Sequence, residues 1–142
     1  MRKRVAAAAV ILLLSARAEL HAQAADGFMA RVAAAWRKSD AEAVSLLGDQ
    51  AGIAIEVDGR HVGSIAPRQA AAVLRRVFAD RESLSAVAGT ARTMPGNARR
   101  AYAEIVWEYR VRGTTQPVKA NVFIAAARDG AAWRITEIRL MQ

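Results

Sequence analysis

The chain has 142 residues, 21 Lys/Arg against 13 Asp/Glu for a formal charge of +8, and no cysteine. That length accommodates one domain with one core, and the missing thiols exclude disulfides, thiolate metal sites and a lipid-modified N-terminal cysteine. Hydrophobic residues make up 54% of the chain but aromatics only 6%, so the core must close on small side chains, alanine above all, around a few large anchors.

The N-terminus carries the clearest functional signal. Arg2-Lys3-Arg4 is a basic segment, Val5–Leu14 is an unbroken apolar run of ten residues, and the small-x-small sites Ala16-Arg17-Ala18 and Ala22-Gln23-Ala24 follow. This is the layout of a secretory signal peptide. A membrane anchor needs roughly 20 apolar residues, and this run is far shorter. Cleavage is expected after Ala24, with Ala18 as the second site. That makes residues 1–24 a signal peptide and 25–142 a single domain, periplasmic or extracellular, with no membrane span after cleavage. Removing Arg2, Lys3, Arg4, Arg17 and Glu19 leaves 17 basic and 12 acidic residues, a net +5. The arginines are scattered rather than massed, which reads as a solvated surface and not a nucleic-acid interface.

Phe28, Val32, Ala35 and Trp36 recur at i, i+4, i+7 and i+8, one face of a helix over Ala25–Trp36. The chain breaks at Lys38-Ser39-Asp40. Ser39 or Asp40 can cap a second short helix, and Ser39 with Glu42 fits a capping box. Val44 and Leu47 continue the apolar face to Gly48, a stop signal. Ile53–Val57 alternates as a strand, Asp58-Gly59 is a hairpin turn, and Arg60–Val62 is a short return strand ended by Gly63-Ser64. Pro67 suits the first turn of a helix running to about Asp80, with the stripe Ala70, Val73, Leu74, Val77 and Phe78.

Strand signals fill the remainder. Leu84–Met94 is moderately strand-like, and Pro95-Gly96-Asn97 is a turn. Ala98–Arg112 alternates between Ala101, Ala103, Ile105, Trp107, Tyr109 on one face and Tyr102, Glu104, Val106, Glu108, Arg110 on the other. Pro117–Arg128 is apolar on both faces. After Asp129-Gly130, Trp133 and Ile135 have the opposite parity to Ile138 and Leu140, so a bulge near Thr136-Glu137 is expected to restore one apolar face. Helices followed by a run of strands predict an α+β fold, an antiparallel sheet wrapped over the N-terminal helices.

With Ala35-Trp36-Arg37-Lys38-Ser39-Asp40-Ala41-Glu42-Ala43-Val44 as the opening, Ile53–Val57, Asp58-Gly59, Gly63 and the Gln69–Phe78 helix next, and Asp129-Gly130…Trp133-Arg134-Ile135…Ile138 as the ending, the chain resembles the nuclear transport factor 2-like superfamily. That superfamily includes ketosteroid isomerases and polyketide-cyclase-like proteins. The resemblance spans about residues 28–141. It implies a cone-shaped, strongly curved mixed or antiparallel sheet whose concave side often holds a pocket, and frequent homodimers made through the sheet. Carried onto this sequence, the isomerase tyrosine falls near Val32, the general base at Glu56 or Asp58, and the second oxyanion-hole acid near Asn121. Val32 has no hydroxyl and Asn121 is not an acid, so steroid-type proton transfer is not supported.

No metal-ligand spacing or cofactor motif is present; the histidines are His21, in the leader, and His61. Glu104 and Glu108 share a strand face and could act as a carboxylate pair, but with Arg100, Arg110 and Arg112 on that face they read as a charged sheet surface. Trp36, Trp107, Tyr109, Phe123 and Trp133 are packing anchors that could also line an apolar pocket. Asn121, beside Phe123, would need a partner if it faced inward, so Trp36, Trp107, Tyr109, Asn121 and Phe123 are the ligand-pocket candidates. The two-sided apolar character of the Pro117–Arg128 strand points to a homodimer covering Tyr102, Val106, Val118, Val122 and Ile124. The expected function is a non-catalytic module that binds a small apolar ligand or a protein partner. The alternatives are an isomerase- or hydrolase-like enzyme with Glu56, Asp58 or His61 as base, and an interaction domain whose pocket is filled by Trp and Phe.

Overall fold

The structure, a computed structural model, describes residues 2–142. The side chains of residues 2–14 and of Ala18 lie outside that description, and with them the predicted leader segments Arg2-Lys3-Arg4 and Val5–Leu14 and the second cleavage site. Among the described residues, no helix is long and apolar enough to cross a membrane.

Helix α1 (Arg2–Arg37) buries Phe28, Val32, Ala35 and Trp36, the face that their spacing dictates. It ends because Ser39 takes a left-handed backbone, φ 53°. Ser39 N then donates to Trp36 O at 2.9 Å and Asp40 N to Ala35 O at 3.1 Å, which satisfies two carbonyls of the last turn. Asp40 is at once the N-cap of helix α2 (Ala41–Leu46), its Oδ1 accepting from Ala43 N at 2.9 Å. The capping box expected between Ser39 and Glu42 therefore does not form. Ser39 is committed to ending α1, and Glu42 reaches Arg75 at 2.6 Å instead.

Strands β1 (Ile53–Val57) and β2 (Arg60–Ile65) form the hairpin, joined by Asp58 and Gly59 with φ 51° and 75°. The return strand is longer than the sequence suggests. Pairing jumps from Ile55↔Gly63 to Glu56↔His61, so the strand passes Gly63 through a bulge rather than ending there. Helix α3 (Pro67–Ala79) starts on its proline and buries Ala70, Leu74, Val77 and Phe78.

Strands β3 (Arg81–Ala88), β4 (Arg92–Met94), β5 (Asn97–Val111), β6 (Pro117–Asp129) and β7 (Ala132–Met141) complete the sheet. Its order is β2-β1-β7-β6-β5-β3, with β4 paired to β5. Only β1 and β7 run parallel; the other pairs are antiparallel, giving a curved, unclosed mixed sheet. Helix α1 packs on β3 and β5, and α3 on α2, β1 and β3. The β7 bulge falls where expected: Ala125 pairs Glu137 but Ala126 pairs Ile135, leaving Thr136 as the extra residue. Trp133, Ile135, Ile138 and Leu140 all become buried as a result. Next to it, Ile135 N donates to Leu47 O and Ile135 O accepts from Asp49 N, both at 2.8 Å. This ties the end of α2 to the sheet. A Cβ on Gly48 would strike the Ile53 side chain there and lie 2.9 Å from Ser45 O.

The faces of β6 are the reverse of the expectation. Directly paired residues of antiparallel strands share a face, and Trp107↔Ala120, Ile105↔Val122 and Ala103↔Ile124 put Ala120, Val122 and Ile124 inside. Glu104↔Phe123 and Val106↔Asn121 put Phe123 and Asn121 on the outer face.

Candidate functional site

The concave side of the sheet is closed at its centre by three rings, one each from α1, α3 and β5. Trp36, Phe78 and Trp107 meet edge to face, with centroids 5.1 Å (Trp36–Phe78), 5.6 Å (Trp36–Trp107) and 5.9 Å (Phe78–Trp107) apart. That geometry sets the positive edge of one ring against the negative face of the next. Tyr109 lies against Trp107 at 4.4 Å, and Trp107 Nε1 donates to Ser83 Oγ at 3.0 Å. The structure thus brings Trp36, Trp107 and Tyr109 together as a packed cluster, while Asn121 and Phe123 lie on the opposite side of the sheet. Of the dimer-face candidates, Tyr102 and Val106 are on the outer face, Val118 is half-buried against the core, and Val122 and Ile124 are within it. The positions suggested by the isomerase resemblance do not converge: Val32 is in the core and Asn121 is exposed on the outer face.

The polar end of Tyr109 reaches the mouth of the concave side. Its hydroxyl lies 3.3 Å from Gln142 Nε2, which also donates to Asp58 Oδ1 at 3.0 Å. The second Asp58 oxygen faces Arg81 at 3.4 Å. Arg81 is largely buried, its guanidinium stacked over the Tyr109 ring at 5.5 Å and donating to Val77 O at 3.0 Å. This last bond satisfies a free carbonyl at the end of α3, where a cation is favoured by the helix dipole. Beside this cluster runs an open groove of about 560 Å³ between the hairpin and α3. Its lining is Val57, Val62, Val73 and Val77 with Asp58, Arg60, Arg76 and Arg81. Sequence reasoning singled out Asp58 but missed the arginines. Their one signal was position: Arg76 in the last turn of α3 and Arg81 just past its end, both off the apolar stripe.

The other acid–base candidates lie apart from the groove. Glu56 and His61 face each other across the hairpin at 3.9 Å, with His61 63% exposed. Glu108 pairs loosely with Lys119 at 4.0 Å. On the outer face Tyr102 and Phe123 stack at 5.9 Å, and Arg139 covers Phe123 at 5.1 Å. Glu137 hydrogen-bonds Arg139 and, with a smaller contribution from Glu56, raises its pKa above the ordinary arginine value. Among the described residues, no group of three His, Asp or Glu is arranged to hold a metal.

No protein-family model matches the sequence, and no curated protein sequence does. Solved structures do match the fold. A ketosteroid isomerase-like protein from Erwinia carotovora atroseptica is similar with a TM-score of 0.69 at 13% identity, over 84% of this chain and 93% of its own. A protein of ketosteroid isomerase-like fold from Catenulispora acidiphila, solved in complex with trimethylamine, has a TM-score of 0.63 at 18% identity, covering 81% and 84%. A cystatin-like domain of unknown function from Nostoc punctiforme has a TM-score of 0.62 at 14% identity, covering 82% and 73%. The chain is an α+β protein of the nuclear transport factor 2-like fold.

Proposed function

We propose that this protein is an exported, non-catalytic binding module that works as a homodimer and takes its ligand in the groove between the hairpin and α3. The observation that carries the reading is the contrast within the concave side. Its centre is filled by Trp36, Phe78 and Trp107, while a groove stays open at its mouth. An isomerase or hydrolase in the same groove would need Asp58 as its base. Both Asp58 oxygens are already engaged, by Gln142 and Arg81, while Glu56 and His61 lie outside the groove lining. The Catenulispora protein, with its bound trimethylamine, is an example of a small ligand carried on this fold.

Export is supported by where burial begins. Leu20 is 63% exposed and residues 22–24 are exposed, whereas Ala25, the first residue after the expected cleavage site, is 1% exposed. Leu20 and residues 22–24 therefore contribute little packing that cleavage would remove. The dimer is supported by the outer face. Val87, Val106, Asn121 and Met141 pair in a row across β3, β5, β6 and β7, and the three apolar members are 65%, 46% and 41% exposed in that order. In the next row Glu104, Phe123 and Arg139 are aligned. A two-fold axis along β6 would set Glu104 of each subunit opposite Arg139 of the other, the self-complementarity that such an interface requires.

Native mass spectrometry of the protein recovered from the envelope of an expressing cell tests all three elements. The expected species is a dimer of chains beginning at Ala25, with added mass from a retained small molecule. A bare monomer would overturn the dimer and the carried ligand together, and an uncleaved chain would overturn export. Val106→Arg, at the centre of the exposed row, is expected to yield monomers that remain folded.

A further inference from the structure

We infer that the groove between the hairpin and α3 binds a single-chain amphiphile with a carboxylate head, a medium-chain fatty acid being the simplest example. This rests on the binding-module reading above and adds the chemical class of the ligand. The floor of the groove is Val57, Val62, Val73 and Val77, apolar and without an aromatic platform on which a base or sugar would stack. The charge on its rim is lopsided: Arg60, Arg76 and Arg81 against Asp58 alone.

The three arginines are not equivalent. Arg81 is held by Asp58, Tyr109 and the Val77 carbonyl, so it shapes the site rather than greeting a ligand. Arg60 and Arg76 are exposed and have no carboxylate within ion-pair distance among the described residues, although other surface arginines of this protein have one. They belong to opposite walls, Arg60 to β2 and Arg76 to α3, and valines lie between them. Two planar guanidinium forks flanking an apolar trough suit one carboxylate with a hydrocarbon tail. A neutral ligand would leave both cations unused. The excess of arginine on the rim selects an anionic head, and the two oxygens of a carboxylate match a planar fork bidentately. The volume, about 560 Å³, is that of a small-ligand site rather than of a macromolecular interface.

Isothermal titration of the full dimer with four amphiphiles of one chain length decides the matter: decanoate, decyl phosphate, decyl glucoside and decyltrimethylammonium, each below its aggregation concentration. Decanoate is expected to bind, more weakly as salt is added. Decyl glucoside and decyltrimethylammonium should bind at least about tenfold more weakly, as expected when a charge-assisted fork is lost. The pair Arg60→Gln and Arg76→Gln should lower decanoate affinity by about tenfold or more with no change in melting temperature. The charge-matched pair Arg68→Gln and Arg99→Gln, outside the groove, should leave it unchanged. Equal binding of decyl glucoside would overturn the anionic class while leaving a ligand-binding groove. Preference for decyl phosphate would overturn the carboxylate head, and no binding of any of the four would overturn the inference outright. The module reading itself is judged independently, by the mass retained in the native spectrum.

Discussion

The centre of the concave side and its mouth share α3 and meet along β5, and they differ in what fills them. At the centre, β5 supplies Trp107 to the rings of α1 and α3, and the space is closed by indole and phenyl edges. At the mouth, the next inward residue of β5, Tyr109, still packs its ring on Trp107 but offers its hydroxyl to Gln142. One residue further along the inner face, apolar closure gives way to a charged rim. The aromatic residues fill the centre, and the groove left beside it at the mouth is rimmed by arginine. The largest test of this division is Trp36→Ala. It should cost about 3–5 kcal/mol in urea denaturation, because a rigid cage of Phe78 and Trp107 cannot collapse into the space. Trp36 Nε1 has no acceptor among the described residues, so Trp36→Phe strands no hydrogen-bond partner and should cost only a fraction of that. If Trp36→Ala cost no more than Trp36→Phe, the centre would be loosely filled and the contrast with the mouth would disappear.

The centre was legible in the sequence, and of the mouth only the Asp58-Gly59 turn was. Phe28, Val32 and Trp36 declare their shared face by helical spacing, Asp58-Gly59 declares its turn by φ requirements, and the broken parity of β7 declared its bulge at Thr136. Each of these is a local rule. The faces of β6 were misread because apolar residues occupy both parities there. What decides between them is the register Ile105↔Val122, set by the turn between β5 and β6 and by burial against α1 and α3. That turned Phe123 and Asn121 outward, and Val122 and Ile124 inward. The groove arginines were invisible for a different reason. Arg60, Arg76 and Arg81 lie on three separate elements, and nothing along the chain marks such scattered arginines as neighbours. The same holds for Ser39, whose left-handed backbone ends α1 although its type suggests a cap.

Arg81→Gln probes the wall that separates the two regions. It removes the cation from above the Tyr109 ring, unpairs one Asp58 oxygen and frees the Val77 carbonyl. Hydrogen bonds to a charged donor are worth about 1.5–3 kcal/mol. The Asp58 partner is 45% exposed, so solvent screening reduces the ion-pair share and the lower end of that range is expected. If Arg81 shapes the groove without touching the ligand, the same variant should weaken decanoate binding less than loss of Arg60 and Arg76 does. A loss equal to theirs would mean that Arg81 contacts the head group directly, and the mouth would then be one three-arginine site.

Asp58→Asn is the smallest and most discriminating change. Asparagine tolerates the left-handed backbone that position 58 requires, φ 51°, and Asn-Gly serves a two-residue hairpin turn as well as Asp-Gly does. The hairpin should therefore survive. The amide oxygen can still accept from Gln142 or Arg81, and the lost charge was paired across 3.4 Å at a half-exposed position. The stability cost should stay below about 1 kcal/mol. Affinity should move the other way. With the carboxylate that lines the groove neutralised, the three arginines are opposed at the mouth by Asp80 alone among the described residues, 3.8 Å from Arg81, so decanoate should bind more tightly and with a steeper dependence on salt. An enzyme using Asp58 as its base predicts the reverse pattern: turnover abolished, with substrate affinity nearly unchanged. Titrating the variant with decanoate at two salt concentrations separates the two readings. Tighter, salt-sensitive binding assigns Asp58 to the rim as a repulsive element, and unchanged binding would require a second acceptor at the mouth to explain how the arginines are balanced.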